Sequence, residues 1–168
     1  MFPSHLNISP KAHIAKEAVI VGNVTIGIDS SVFYHCTLRG DDQEIIIGDG
    51  TNIQDNTVVH VGSEEPTVIG HGVTIGHASI IHGCKIGNNT LIGMGSTILN
   101  GAQIGHNCLI GANSLVTQNT IVPDGMLALG SPAKVIRPLT EEELRSLHES
   151  RDEYIELSKL HFGDYGNR

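Results

Sequence analysis

The chain has 168 residues, no tryptophan, 4% aromatic residues and a formal net charge of −8 at neutral pH. That length suits a single domain, and the scarcity of aromatics leaves a thin core of Ile, Val and Leu. The acidic balance excludes nucleic acid and anionic membrane as partners, because phosphate recognition needs a basic stripe.

No apolar run reaches the length of a membrane span, and the opening MFPSHLNISPKAH lacks the charged-then-apolar layout of a secretory signal. From Ile14 onward an aliphatic residue returns every six positions, at Ile14, Ile20, Ile26, Val32 and Leu38. The beat resumes at Ile47, Ile53 and Val59, again at Ile69, Ile75 and Ile81, and runs from Ile86 through Ile92, Ile98, Ile104, Ile110 and Val116 to Val122. A period of six fits neither an α-helix nor an alternating hairpin. It fits a solenoid in which a short strand and a tight corner together take six residues. These inward positions predict an all-β solenoid of about six triangular coils over residues 1–123, stacked at about 4.8 Å. Gly follows many inward residues, as in Ile26-Gly27, Ile47-Gly48 and Ile86-Gly87, and is expected to supply corner freedom.

The beat slips in three places: RGDDQE adds residues before Ile47, HVGSEEPT adds residues before Ile69, and one residue is missing before Ile86. Insertions in a solenoid are extruded at one edge, where function collects. The three cysteines, Cys36, Cys84 and Cys108, are an odd number without a C-x-x-C pair. They read as small buried hydrophobes in a reducing, cytoplasmic setting.

After Val122 the beat stops. Residues 124–139, containing GSPAKVIRP, form a connector, and residues 140–162 form a helix followed by a frayed tail at 163–168. Thr140 with Glu143 makes a capping box, and Leu139 with Leu144 is spaced as a hydrophobic staple. Leu144, Leu147, Tyr154, Ile155 and Phe162 share an arc of about 100°, wide enough to pack on one side of the prism.

Reading the coils in threes turns the sequence into columns. One residue after the inward position, the second face carries Val21, Arg39, His60, His82, Leu99 and Thr117. His60 and His82 are therefore neighbours one coil apart, close enough to share a metal ion. On the first face Gln54, Asp55 and His77 fall in adjoining columns, too far round the prism to meet that ion in the same chain. A homotrimer would bring the first face of one chain against the second face of the next and complete a three-histidine site. His5, His13, His35, His71, His106, His148 and His161 show no such partnership and read as ordinary surface or core histidines.

The segments RGDDQ (39–43), NIQDNTVVH (52–60) and GHASIIHGCKIG (76–87), with GSPAKVIRPL and the helix carrying DEYIELSKL, resemble the γ-class carbonic anhydrase-like family. The resemblance implies a left-handed parallel β-helix trimer with metal sites at its subunit interfaces. It implies His60, His77 and His82 as ligands of Zn²⁺, with Fe²⁺ or Co²⁺ as other occupants. It makes Gln54 the partner of the activated water, Arg39, Asp41 and Asp55 an interfacial ion-pair set, and Tyr154 a helix residue directed at the site. The implied activity is reversible hydration of CO2 to bicarbonate. The sequence departs from the best-known members in the loop after His60. Theirs is long and acidic with a proton-shuttling glutamate, whereas this one is VGSEEPT, with Glu64 and Glu65 as its acids. Two other readings stay open: an acyltransferase or thioesterase acting on a CoA ester, and a structural trimer whose metal site is vestigial.

Overall fold

In the computed structural model, which describes residues 5–165, the six-residue beat winds into a left-handed parallel β-helix closed by one C-terminal helix. Two-residue strands such as Asn52–Ile53, Thr74–Ile75 and Leu91–Ile92 stack in parallel register, so that Ile53 lies on Ile75 and Ile75 on Ile92. Each inward side chain thus packs against its own column mates. Ile53, Ile75, Ile81, Ile92, Ile98 and Ile110 have no exposed surface. Fully burying one such side chain contributes about 1.5–3 kcal/mol, which lets a thin core hold the prism without aromatics.

The helix has about seven turns, more than the expected six, because the beat continues beyond both ends of the run. Ile8 pairs in register with Ile26, and Ala128 with Ile110. A small residue at 128 and a proline-flanked start conceal these outer positions in the sequence.

The corners are built differently from the expectation. The left-handed backbone falls three residues after the inward position, at Asp29, Asn56, Asn89, Asn107 and Gly125 among others, whereas Gly48 and Gly87 have no positive φ. What excludes a side chain at Gly48 is close approach: a Cβ there would lie 2.7 Å from the backbone of Gly70 in the next coil. Glycine after the inward residue lets successive coils touch, and Asn, Asp or Gly farther on makes the turn.

All three slips in the beat fall at the corner between the second and third faces. The VGSEEPT loop is extruded there, between the strands Val58–His60 and Thr67–Ile69. RGDDQE does not leave the sheet: Thr37–Ile47 is one continuous strand, with Asp41–Glu44 bulging opposite Asn23. The missing residue before Ile86 is absorbed by Gly83 at φ +55°.

Side chains acting between coils satisfy the turns. Along one corner Ile28, Asp49, His71, Asn88 and His106 donate their backbone N–H to the side chains of Asp49, His71, Asn88, His106 and Asp124 in turn, at 2.7–3.0 Å. This gives His71 and His106 a structural role as neutral acceptors. Among the described residues, no buried side-chain nitrogen or oxygen lacks a partner. The three cysteines are buried and free, and burial pushes the Cys36 thiol up to about 11 and the Cys84 thiol up to about 12.

The connector is itself a hairpin, Met126–Gly130 against Ala133–Pro138, which ends the first face with an antiparallel pair. The helix α1 (Glu141–Tyr165) lies across the first face. Of the expected frayed tail, residues 163–165 continue α1 and 166–168 lie outside the described residues. Leu139 and Leu147 are buried, Tyr154 and Phe162 set their rings edge-on to Phe33, and Ser158 is fully enclosed. No helix among the described residues is long and apolar enough to cross a membrane.

The capping box forms as expected. Thr140 N–H donates to Glu143 Oε2 at 2.8 Å, and Glu143 N–H donates to Thr140 Oγ1 at 3.2 Å. Arg137 adds two bonds to the same carboxylate, which, together with the Thr140 backbone, hold it at about pKa 2 against an ordinary 4.5. Because the folded value is depressed, this contribution is complete above pH 4.5 and lost as pH falls toward 2. Thr140→Ala should cost about 1 kcal/mol in denaturant unfolding, because Glu143 N–H loses its acceptor while Thr140 N–H keeps the carboxylate.

Candidate metal site

Strand register brings the second-face column together: Arg39 stands opposite His60, and His60 opposite His82. Parallel pairing without a slip leaves these side chains projecting from the same side of one sheet. His60 Nδ1 and His82 Nε2 face each other at 3.0 Å. The bulge in Thr37–Ile47 carries Asp41 beside them, where Asp41 Oδ1 takes His60 Nε2 at 2.8 Å and Oδ2 pairs with Arg39 Nη1. Burial raises the Asp41 carboxyl, but the bonds from His60 and Arg39 outweigh it and hold the group at about 2.

The first-face residues assemble separately. His77 Nδ1 meets Asp55 Oδ2 at 2.9 Å. Gln54, only 4% exposed, donates through Nε2 to Asn52 Oδ1 at 3.1 Å, and Asn52 Nδ2 donates to Thr74 Oγ1 at 2.9 Å. Gln54 lies beside Tyr154 of α1. Burial, with Glu153 and Asp55 adding to it, raises the Tyr154 phenol, and the neighbouring Gln54 amide offsets part of the rise. Gln54, His77, Met94 and Tyr154 line an open groove of about 270 Å³ between α1 and the first face.

The expected residues thus fall into two separate clusters: Arg39, Asp41, His60 and His82 on one face, and Gln54, Asp55, His77 and Tyr154 on another. Among the described residues no group of three or more His, Cys, Asp or Glu side chains within the chain is placed to hold a metal ion. Arg39 pairs with Asp41, and Asp55 with His77, so an Arg39–Asp55 pair is not formed inside one protomer.

Sequence reasoning missed Asn100, whose Oδ1 lies 2.7 Å from His82 Nδ1. It stands two residues past inward Ile98, and extending the second-face column by one position would have found it. Thr67 was missed as well; its Oγ1 donates to the His60 carbonyl and accepts from Gly83 N–H.

The donor set fits a metal. Each of the three histidines has one ring nitrogen occupied by a side-chain oxygen, from Asp41, Asp55 or Asn100. Metal-binding imidazoles are held in this manner, with the second nitrogen left bare for the ion. For His60 and His82 those second nitrogens face each other at 3.0 Å, with Arg39 Nη2 3.5 Å from His60 Nδ1, and two lone pairs so placed repel unless a cation or proton lies between them. Two nitrogens bound at 2.0–2.1 Å in tetrahedral geometry stand about 3.3 Å apart, a few tenths of an ångström more than observed here.

Known proteins place the chain. The family model for bacterial transferase hexapeptide (six repeats) matches residues 66–100 and 83–118. A protein of Methanocaldococcus jannaschii named "Probable carbonic anhydrase" is 56% identical over 152 residues, covering 90% of this chain and 96% of that one. The mitochondrial gamma carbonic anhydrase 2 of Arabidopsis thaliana is 45% identical over 154 residues, covering 88% of this chain. The chain spans little more than half the length of two such plant relatives, 55% and 58%. A crystal structure of a hexapeptide transferase family protein from Anaplasma phagocytophilum superposes with a TM-score of 0.89 at 47% identity, covering 92% of this chain and 91% of that one. At such identity over almost the full length of the archaeal relative, the chain belongs to the γ-class carbonic anhydrase family of hexapeptide-repeat β-helix proteins.

Proposed function

We propose that the protein is a homotrimeric carbonic anhydrase that interconverts CO2 and bicarbonate at a divalent metal. His60 and His82 of one protomer and His77 of the next would hold the ion. The observation carrying this reading is the pairing of each imidazole with one acceptor oxygen, which leaves the second nitrogen of each ring to an ion, in two clusters on different faces.

Surface chemistry supports the assembly. The second face exposes Val19, Val21, Val58 and Ile80 beside the histidine column, an apolar strip suited to a neighbour. On the first face the groove between α1 and His77, lined also by Gly76, Gly93 and Met94, would receive a partner strand. Docking would bring the Arg39 guanidinium near Asp55 and match both charges in a drying interface.

Zn²⁺ is the proposed ion, with Fe²⁺ or Co²⁺ accommodated by the same nitrogen set. When bound, the metal supplies Lewis acidity that brings a coordinated water to a pKa near 7. The chain's own groups do the remaining work. Asp41 and Asp55 hold His60 and His77 in the ligating tautomer, and Arg39 neutralises Asp41. The Gln54 amide, fixed by Asn52, would orient the attacking water, and the Tyr154 hydroxyl would border the CO2 pocket. Glu64 is exposed and Glu65 bonds to Asn100, so Glu64 is the acid of the short loop available to pass protons to solvent. Three buried free thiols accord with a reducing, cytoplasmic location.

Metal analysis coupled to stopped-flow CO2 hydration tests the reading. About one ion per chain and a rate above buffer are expected for the zinc- or iron-loaded protein. Metal binding without hydration by either form would leave only a structural trimer. The transferase relative favours a second reading, turnover of an acyl-CoA ester; such turnover by metal-free protein would support it.

A further inference from the structure

We propose that Asn100, oriented by Glu65, is a positioning residue that fixes His82 as its Nδ1–H tautomer and keeps Nε2 as the metal-binding nitrogen. The inference deepens the metal-site reading above and rests on it.

His82 differs from the other two histidines. His60 and His77 each lean on a carboxylate, whereas His82 Nδ1 lies 2.7 Å from an amide oxygen, Asn100 Oδ1. An amide oxygen only accepts, so Nδ1 carries the hydrogen and Nε2 carries the lone pair that faces His60. That conclusion depends on which end of the amide faces the ring, and a second contact decides it. Asn100 Nδ2 donates to Glu65 Oε2 at 3.4 Å, and a carboxylate accepts only. Turning the amide over would set its oxygen against the carboxylate and its NH2 against the imidazole N–H.

The backbone leaves room for this clamp and little else. A Cβ on Gly62 would lie 2.6 Å from Asn100 Nδ2, and one on Gly83 3.2 Å from the same atom. Glu65 is held by its own loop, where Gly62 N–H donates to the Glu65 carbonyl at 2.8 Å and Gln43 Nε2 donates to the Ser63 carbonyl at 3.0 Å. The short VGSEEPT loop therefore acts on the site through Asn100. Two carboxylates already lie against the other histidines, and a neutral amide at the third fixes the ring without adding charge. The negative charge of Glu65 stands one residue farther back.

The test uses the full-length protein. In metal-free wild type, nitrogen-15 NMR of the His82 ring should show the Nδ1–H form, and Asn100→Leu should lose that preference. By chelator competition, Asn100→Leu should bind zinc about 10–100-fold more weakly. Asn100→Asp sets two carboxylates together and should lose affinity similarly. Adding Glu65→Gln gives the new Asp a donor, and the double variant should recover to within about threefold of wild type. A merely structural role would not produce that recovery. Unchanged zinc affinity in Asn100→Leu, an Nε2–H ring in the wild type, or failure of the double variant to recover would overturn the clamp. A wild type that binds no zinc would instead overturn the metal-site reading.

Discussion

Co-expressing His77→Ala chains with His82→Ala chains is expected to restore about one quarter of the metal sites, although each variant alone should hold none. In the proposed cyclic trimer every site would draw His60 and His82 from one chain and His77 from its neighbour. With two chain types mixed equally, an intact interface needs a His77→Ala chain on the His82 side and a His82→Ala chain on the other. Each choice has even odds. The geometry motivating the test is the split into two clusters, with His82 against His60 at 3.0 Å and His77 bonded to Asp55 on a different face. Metal per chain, measured after size exclusion, gives the result independently of turnover, and hydration should recover in proportion. A site built within one chain would recover nothing, and that outcome would remove the shared-site reading.

Gly87→Ala should be among the most damaging single-methyl changes in the protein. A Cβ at 87 would lie 2.6 Å from the carbonyl carbon and oxygen of Gly105 and 2.7 Å from His106 N. All three atoms are backbone of the next coil, so no rotamer can yield. Relief would require parting two coils and stretching the 2.8 Å bond from Gly87 N–H to the Ile104 carbonyl. Overpacking of this kind costs about 3 kcal/mol, and more where backbone cannot move. For a chain of this length that lowers the melting temperature by about 6–12 °C. Gly125→Ala is the informative contrast, since Gly125 has φ +71° and no atom within 4 Å of the added methyl. It should lose only the left-handed backbone penalty of about 1–2 kcal/mol. If Gly125→Ala proved the worse of the two in thermal unfolding, glycine would matter here for turning and not for stacking.

That contrast shows where the sequence could be read and where it could not. The inward Ile and Val positions were legible because one side of the short strand in every six-residue repeat must be buried, and a strict period survives in the letters. Coil count was less so: Ala128 and Ile8 obey the beat but lie beside a hairpin and a proline turn that mask it. The purpose of Gly87 was misread because sequence shows what glycine permits, whereas the distance to Gly105 shows what it avoids. The neighbourhood of His60 and His82 was legible because parallel register turns a period into a column. Asp41 also lay in the right segment, yet its pairing with His60 depends on RGDDQE staying in the strand as a bulge and not leaving it as a loop.

By itself, then, the sequence determined the solenoid, the corner that gathers all three slips, the histidine column and the capped helix. Each follows from a local rule repeated along the chain, whether burial of one side per strand or pairing of Thr140 with Glu143. Only the tertiary structure decided what surrounds the histidines: the Asp41 carboxylate from a bulge, the Asn100 amide from the next coil, and the hold of Glu65 on that amide. Those contacts depend on hydrogen-bond direction between residues 18–35 positions apart, which neither periodicity nor composition encodes.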